Sequence, residues 1–140
     1  MSMFQWNDNF SVGNGEIDGQ HQKLFQLAEQ FHDAMVGGKG KQVLEQTLTK
    51  LIDYTKHHFA CEEKVMQQSS YPEYRAHKTE HDTLTQKVMQ FRDDLAADRT
   101  VVTIDVLEFL RAWLVNHIGD MDKKVGDFLR KKNPAQKVPA

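Results

Sequence analysis

The sequence predicts an all-α protein, an antiparallel up-down-up-down four-helix bundle preceded by an N-terminal arm. Three observations carry that expectation. Apolar residues recur at alternating three- and four-residue steps through four long segments, the spacing of one helix face. Helix breakers fall between those segments: glycines crowd residues 13–19 and 37–40, and prolines occur only at 72, 134 and 139. The connections that remain are short, so consecutive helices must be antiparallel neighbours. A chain of 140 residues supports one domain with a real core.

The elements follow in order. Residues 1–17 form the arm, 18–131 the bundle and 132–140 a loose tail. The first helix runs from about Asp18 to Val36 and stops at Gly37-Gly38, with His21, Leu24, Ala28, Phe31 and Met35 inward. The second covers about Lys41 to Gln67, and its stripe is Leu44, Leu48, Leu51, Thr55, His58, Glu62 and Val65. After Ser69-Ser70 the third begins near Pro72, which is tolerated in a first helical turn. It reaches about Ala96 and faces Tyr74, His77, His81, Leu84, Val88, Phe91 and Leu95 inward. The fourth opens near Thr103, a suitable N-cap. It continues to about Lys131 with Val106, Leu110, Trp113 and His117 on its stripe.

Composition excludes several functions. Hydrophobic residues make up 39% and charged residues 27%, with a net charge of −2. That balance gives no electrostatic reason to expect nucleic acid. The basic residues Lys123, Lys124 and Arg130-Lys131-Lys132 complement the dipole of a helix end. A lone Cys61 cannot close an intramolecular disulfide, which suits a reducing compartment. The N-terminus has neither a cationic region nor an apolar signal core. No apolar run approaches the ~20 residues that span a bilayer. A cytoplasmic monomer is expected.

The seven histidines are the unusual count. Each inward stripe carries histidine or carboxylate at one level: His21, then His58 and Glu62, then His77 and His81, then His117. Pairs at i, i+4 stack on one helix face, so each can grip one metal. In an up-down bundle these positions fall at the same end. A single histidine on an apolar stripe is ordinarily a satisfied core residue, and two at i, i+4 arise by chance. Burying all of them unpartnered would cost ~1–3 kcal/mol per group. A metal centre removes that cost.

The arm Trp6…Phe10-Ser11-Val12-Gly13…Ile17-Asp18-Gly19-Gln20-His21 resembles the opening of a bacterial hemerythrin. So do His58-Phe59-Ala60-Cys61-Glu62, His77-Lys78-Thr79-Glu80-His81 and Trp113-Leu114-Val115-Asn116-His117-Ile118…Asp122. The resemblance spans nearly the whole chain. It implies two non-haem irons bridged by Glu62, Asp122 and an oxo or hydroxo group. By that pattern His77, His81 and His117 complete one iron, while His21 and His58 bind a second that keeps a position open for dioxygen.

Spacing and resemblance disagree at one residue. Asp122 lies five positions after His117 and would leave the stripe of a regular helix, whereas Asp120 at i+3 would stay on it. Asp122 therefore requires a distorted helix, through a π-bulge or a loosened turn around Gly119. Leu24, Phe59 and Trp113 sit beside site histidines and are expected to wall the oxygen pocket. His57 points off the stripe, His32 reads as a surface residue, and Cys61 as a buried, inert thiol.

Imidazole suits iron, and few anionic ligands give little support to high-valent states. Reversible dioxygen binding for storage, transport or delivery is the expected function, with an oxygen-consuming enzyme as one recipient. The competing readings are a di-iron enzyme of peroxidase, nitric-oxide reductase or ferroxidase type, and an oxygen or iron sensor acting through a partner.

Overall fold

A computed structural model describes residues 4–98 and 104–132. Helix α1 spans Gly15–Val36, α2 Lys41–Gln68 and α3 Tyr74–Ala96. The fourth rod joins α4 (Ile104–Asn116), a π-helical segment (His117–Asp122) and α5 (Lys123–Lys132). Asn116 and Lys123 keep right-handed helical dihedrals, so the rod is continuous. These four rods form a four-helix bundle, and no strand occurs among the described residues. Lys41 at the start of α2 donates to the carbonyl of Ala96 at the end of α3, 2.8 Å away, as antiparallel neighbours require.

α1 starts three residues earlier than the sequence suggested. Asn14 is the N-cap, accepting from the Ile17 amide at 3.1 Å. Asp18 instead lies buried and holds the arm: it accepts from Ser11 Oγ at 2.6 Å and from the Val12 amide at 2.8 Å. Arg130 of α5 donates to the Val12 carbonyl at 2.6 Å. A Cβ on Gly126 would overlap that same carbonyl, so only glycine lets the arm lie this close.

α1 and α2 end in the same motif. Gly38 and Ser70 adopt φ of 65° and 58°. Lys39 then bonds back to Ala34 at 3.0 Å, and Tyr71 to Met66 at 2.9 Å. The second motif occupies residues 69–71 and leaves Pro72 in the connection, so α3 begins at Tyr74 rather than at Pro72. The expected cap Thr103 and the tail beyond Lys132 lie outside the described residues.

The core divides in two. The larger cluster includes Leu24, Ala28, Phe31, Leu48, Leu51, Val88, Leu95 and Leu110 from the expected stripes, with Leu107, Leu114 and Ile118. Each large side chain buried there contributes ~1.5–3 kcal/mol. A smaller cluster of Met66, Tyr71 and Val125 closes the other end, backed by Phe128 and Leu129. The polar stripe positions lie between the two. No helix among the described residues is long and apolar enough to cross a membrane.

Candidate metal centre

Seven side chains converge between the two apolar clusters: His21 from α1, His58 and Glu62 from α2, His77 and His81 from α3, and His117 and Asp122 from the π-helical segment. All are 2% exposed or less. His117 and Asp122 share a face because the π turn repeats at i+5. Asp120 points to solvent with a side chain 73% exposed. Spacing on a regular helix favours Asp120, and the widened turn is why Asp122 joins the cluster instead.

The seven fall into two overlapping groups. In the first, His77 Nε2 stands 2.8 Å from Glu62 Oε1 and 2.9 Å from Asp122 Oδ1. His81 Nε2 is 3.2 Å from Glu62 Oε1, and His117 Nε2 is 3.0 Å from Asp122 Oδ1. In the second, His21 Nε2 lies 2.8 Å from Asp122 Oδ2 and His58 Nε2 lies 3.5 Å from Glu62 Oε2. The two ring nitrogens are 3.1 Å apart. Each carboxylate thus turns one oxygen to each group.

Hydrogen bonding alone does not account for this cluster. His58 Nδ1 faces Gln20 Oε1 at 2.6 Å, His81 Nδ1 faces Glu63 Oε2 at 2.9 Å, and His117 Nδ1 faces Glu80 Oε1 at 3.0 Å. These outer oxygens accept only, so each outer nitrogen carries a proton, and in the neutral ring the inward nitrogen is a bare lone pair. The inward lone pairs then face carboxylate oxygens. Both oxygens of Glu62 and both of Asp122 are buried without a satisfied hydrogen bond. A cation in each group resolves the conflict. The spacings also fit: metal bonds of ~2.1 Å place adjacent octahedral ligands ~3.0 Å apart and tetrahedral ligands ~3.4 Å apart. Most observed separations sit nearer the octahedral value, and imidazole with carboxylate is a donor set that suits iron.

Without a cation, protons on two of the rings take its place beside the carboxylates. Burial works against a charged His117, but Asp122 and Glu80 outweigh it and raise its pKa to about 10. Burial likewise opposes charge on His77, yet Asp122 and Glu62 raise it to about 9. His58 goes the other way, lowered to about 4 by burial and by His21 beside it. Although burial opposes its ionised form, Asp122 is held well below the usual carboxylate range by His117, His21 and His77.

The surrounding residues only partly match expectation. Phe59 stacks on His81, with ring centres 3.8 Å apart and planes within 3°. Trp113 stacks on His117 at 5.6 Å and meets Phe59 edge-on. Both aromatics therefore lie closest to the three-histidine group. Leu24 is buried in the larger core cluster. A small apolar void of about 10 Å³ is bounded by Leu51, Ile52, Leu84, Leu110, Trp113 and Leu114, among others. Cys61 is not a buried core thiol: it is half-exposed, with Sγ 3.7 Å from Nε2 of the exposed His57. His32 is half-buried rather than on the surface, paired to Glu29 at 3.0 Å.

Sequence reasoning missed Gln20, Glu63 and Glu80. Each adjoins a site residue in sequence but serves a histidine on the next rod, so only the register between helices reveals the pairing.

The Hemerythrin HHE cation binding domain matches residues 12–129. The chain is 35% identical to the bacteriohemerythrin of Methylococcus capsulatus, covering 92% of this chain and 98% of that protein. It is 32% identical to a bacteriohemerythrin of Pseudomonas aeruginosa, covering 93% and 84%. A crystal structure of wild-type hemerythrin superposes with a TM-score of 0.86 at 34% identity, over 91% of this chain and 98% of that one.

Proposed function

Because this chain belongs to the hemerythrin family, we propose that its buried centre holds two irons and binds dioxygen reversibly, as a carrier or store rather than as an enzyme. One observation carries the reading. Two groups of donor atoms share both carboxylates but are unequal, with three ring nitrogens in one and two in the other.

His77, His81 and His117, with one oxygen each from Glu62 and Asp122, would hold one iron. His21 and His58, with the remaining carboxylate oxygens, would hold the other and leave room for an external ligand. When bound, the iron pair supplies two electrons and that open position to dioxygen. The protein's own part is to orient and to exclude water. Gln20, Glu63 and Glu80 fix three imidazoles in the tautomer that presents Nε2 inward. Phe59 and the two apolar clusters shield the centre from water, which would carry in the protons that promote irreversible oxidation. Among the described residues, no carboxyl other than Glu62 and Asp122 reaches the inward nitrogens. A general acid for oxygen–oxygen cleavage has no evident place there.

The experiment is elemental analysis followed by cycling between air and argon, with the visible charge-transfer band followed throughout. Two irons per chain and recovery of the band over several cycles, without peroxide, support the reading. One metal per chain defeats the di-iron assignment. Catalytic turnover of oxygen, or oxidation within the first cycle, replaces the carrier with an enzyme.

A further inference from the structure

The outer hydrogen bonds are distributed unequally between the two groups. In the three-histidine group, His81 and His117 are each backed by a carboxylate: Glu63 at 2.9 Å and Glu80 at 3.0 Å. In the two-histidine group, His58 is backed by the neutral amide of Gln20 at 2.6 Å. Nδ1 of His21 is buried with no partner. Both carboxylates therefore serve one group, and the other has none.

An anionic acceptor on Nδ1–H draws that proton outward and makes the opposite ring nitrogen a stronger electron donor; a neutral amide does so less. Stronger donation favours the higher charge on the bound metal. We infer that Glu63 and Glu80 are positioning residues that lower the reduction potential of the three-histidine iron relative to its neighbour. The neutral backing at His58 then keeps the open-position iron the easier of the two to hold ferrous. The inference rests on the di-iron reading above.

Lys78 limits the effect at one of the two residues. Its Nζ stands 3.7 Å from Glu63 Oε1 and 3.1 Å from Asp82. It offsets part of the Glu63 charge but makes no such contact with Glu80. The larger effect belongs to Glu80, although its side chain is the more exposed of the two, 37% against 18%.

Glu63→Gln, Glu80→Gln and Gln20→Glu test this in the intact chain, because each exchanges charge for a near-isosteric neutral group or the reverse. Spectroelectrochemical titration with Mössbauer assignment of the two irons gives the first readout. Glu80→Gln should shift the three-histidine iron about tenfold toward ferrous, a typical effect for such partners and about 59 mV for a one-electron couple. Glu63→Gln should shift it in the same direction by less. Gln20→Glu should shift the other iron toward ferric and narrow the gap. The second readout needs no iron: in the zinc-loaded protein, Glu63→Gln should move the Nδ1–H proton resonance of His81 upfield and leave that of His58 in place. Glu80→Gln should move the His117 signal upfield alone. Unchanged potentials in variants with two irons and wild-type melting temperature overturn the inference and leave the di-iron reading standing. Inability of the wild type to bind two irons defeats that reading, and zinc-form resonances that stay in place in both glutamine variants overturn the inference by themselves.

Discussion

Asp122 Oδ1 stands 3.0 Å from Nε2 of His117, five residues earlier on the same rod. On an α-helix the two side chains would diverge by ~140° around the axis. The π-helical segment His117–Asp122 brings them onto one face and buries Asp122 completely. Asp120, on the favoured spacing of a regular helix, is turned out to solvent. The widened turn is thus what supplies the second shared carboxylate.

Asp122→Asn should therefore abolish binding of the metal pair, while Asp120→Asn should change stability by no more than about 0.5 kcal/mol, as exposed substitutions do. Metal analysis and the optical spectrum of both variants decide this. A normal spectrum for Asp122→Asn, with two irons bound, would mean that its carboxylate is not shared between the groups.

Chelated protein should show a stability maximum near pH 6.5. His77 and His117, raised to about 9 and about 10, contribute stability fully present below the ordinary histidine value and lost as pH climbs through the raised values. His58, lowered to about 4, contributes stability present above that ordinary value and lost as pH falls toward 4. Each such histidine changes stability by up to ~1.4 kcal/mol per pH unit within its window. Zinc-loaded protein should lack the alkaline loss, because metal replaces the protons on His77 and His117. Melting curves from pH 5 to about 10 check both. A metal-free profile flat between pH 7 and about 10 would contradict it.

The arm is held by Asp18 and by the close approach of Gly126. Gly126→Ala places a methyl on the Val12 carbonyl and should cost ~1–3 kcal/mol through overpacking. Asp18→Ala removes two hydrogen bonds, one to a buried amide, and should cost a similar amount. Both should loosen Trp6 from His21, whose rings lie 6.5 Å apart. Tryptophan fluorescence and amide exchange of residues 10–13 report the release. Unaltered exchange at Val12 in either variant would show that these contacts do not hold the arm.

Phe59→Leu keeps an apolar side chain but removes the stack on His81. The diferrous protein should then oxidise several-fold faster in air, with a loss of stability below the ~3–5 kcal/mol typical of Phe→Ala. Stopped-flow absorbance measures the rate. If oxidation keeps its wild-type rate in a fully loaded variant, Phe59 serves as core alone.

Much of the molecule was legible from pattern. The stripes Leu24-Ala28-Phe31, Leu48-Leu51 and Leu84-Val88 are buried as their spacing required, since burial on a helix follows from period alone. The common level of His21, His58, Glu62, His77, His81 and His117 was legible for the same reason, because short connections set the register of an up-down bundle. Asp122 was singled out by family resemblance against its spacing. No residue propensity announces a π turn, whose strain is offset by the burial and packing of the side chains around it.

Sequence by itself therefore determined the four rods, their inward faces and the convergence of histidine and carboxylate at one end. Tertiary structure alone decided which neighbour stands behind each imidazole. Gln20 reaches His58, Glu63 reaches His81 and Glu80 reaches His117 across separate helices. It also decided that Asp18 would clasp the arm rather than open a helix. The physical reason is range. Periodicity records how a segment meets an interior, a property of nearest turns. A hydrogen bond between rods depends on rotation and rise fixed to within an ångström by the packing of the whole bundle.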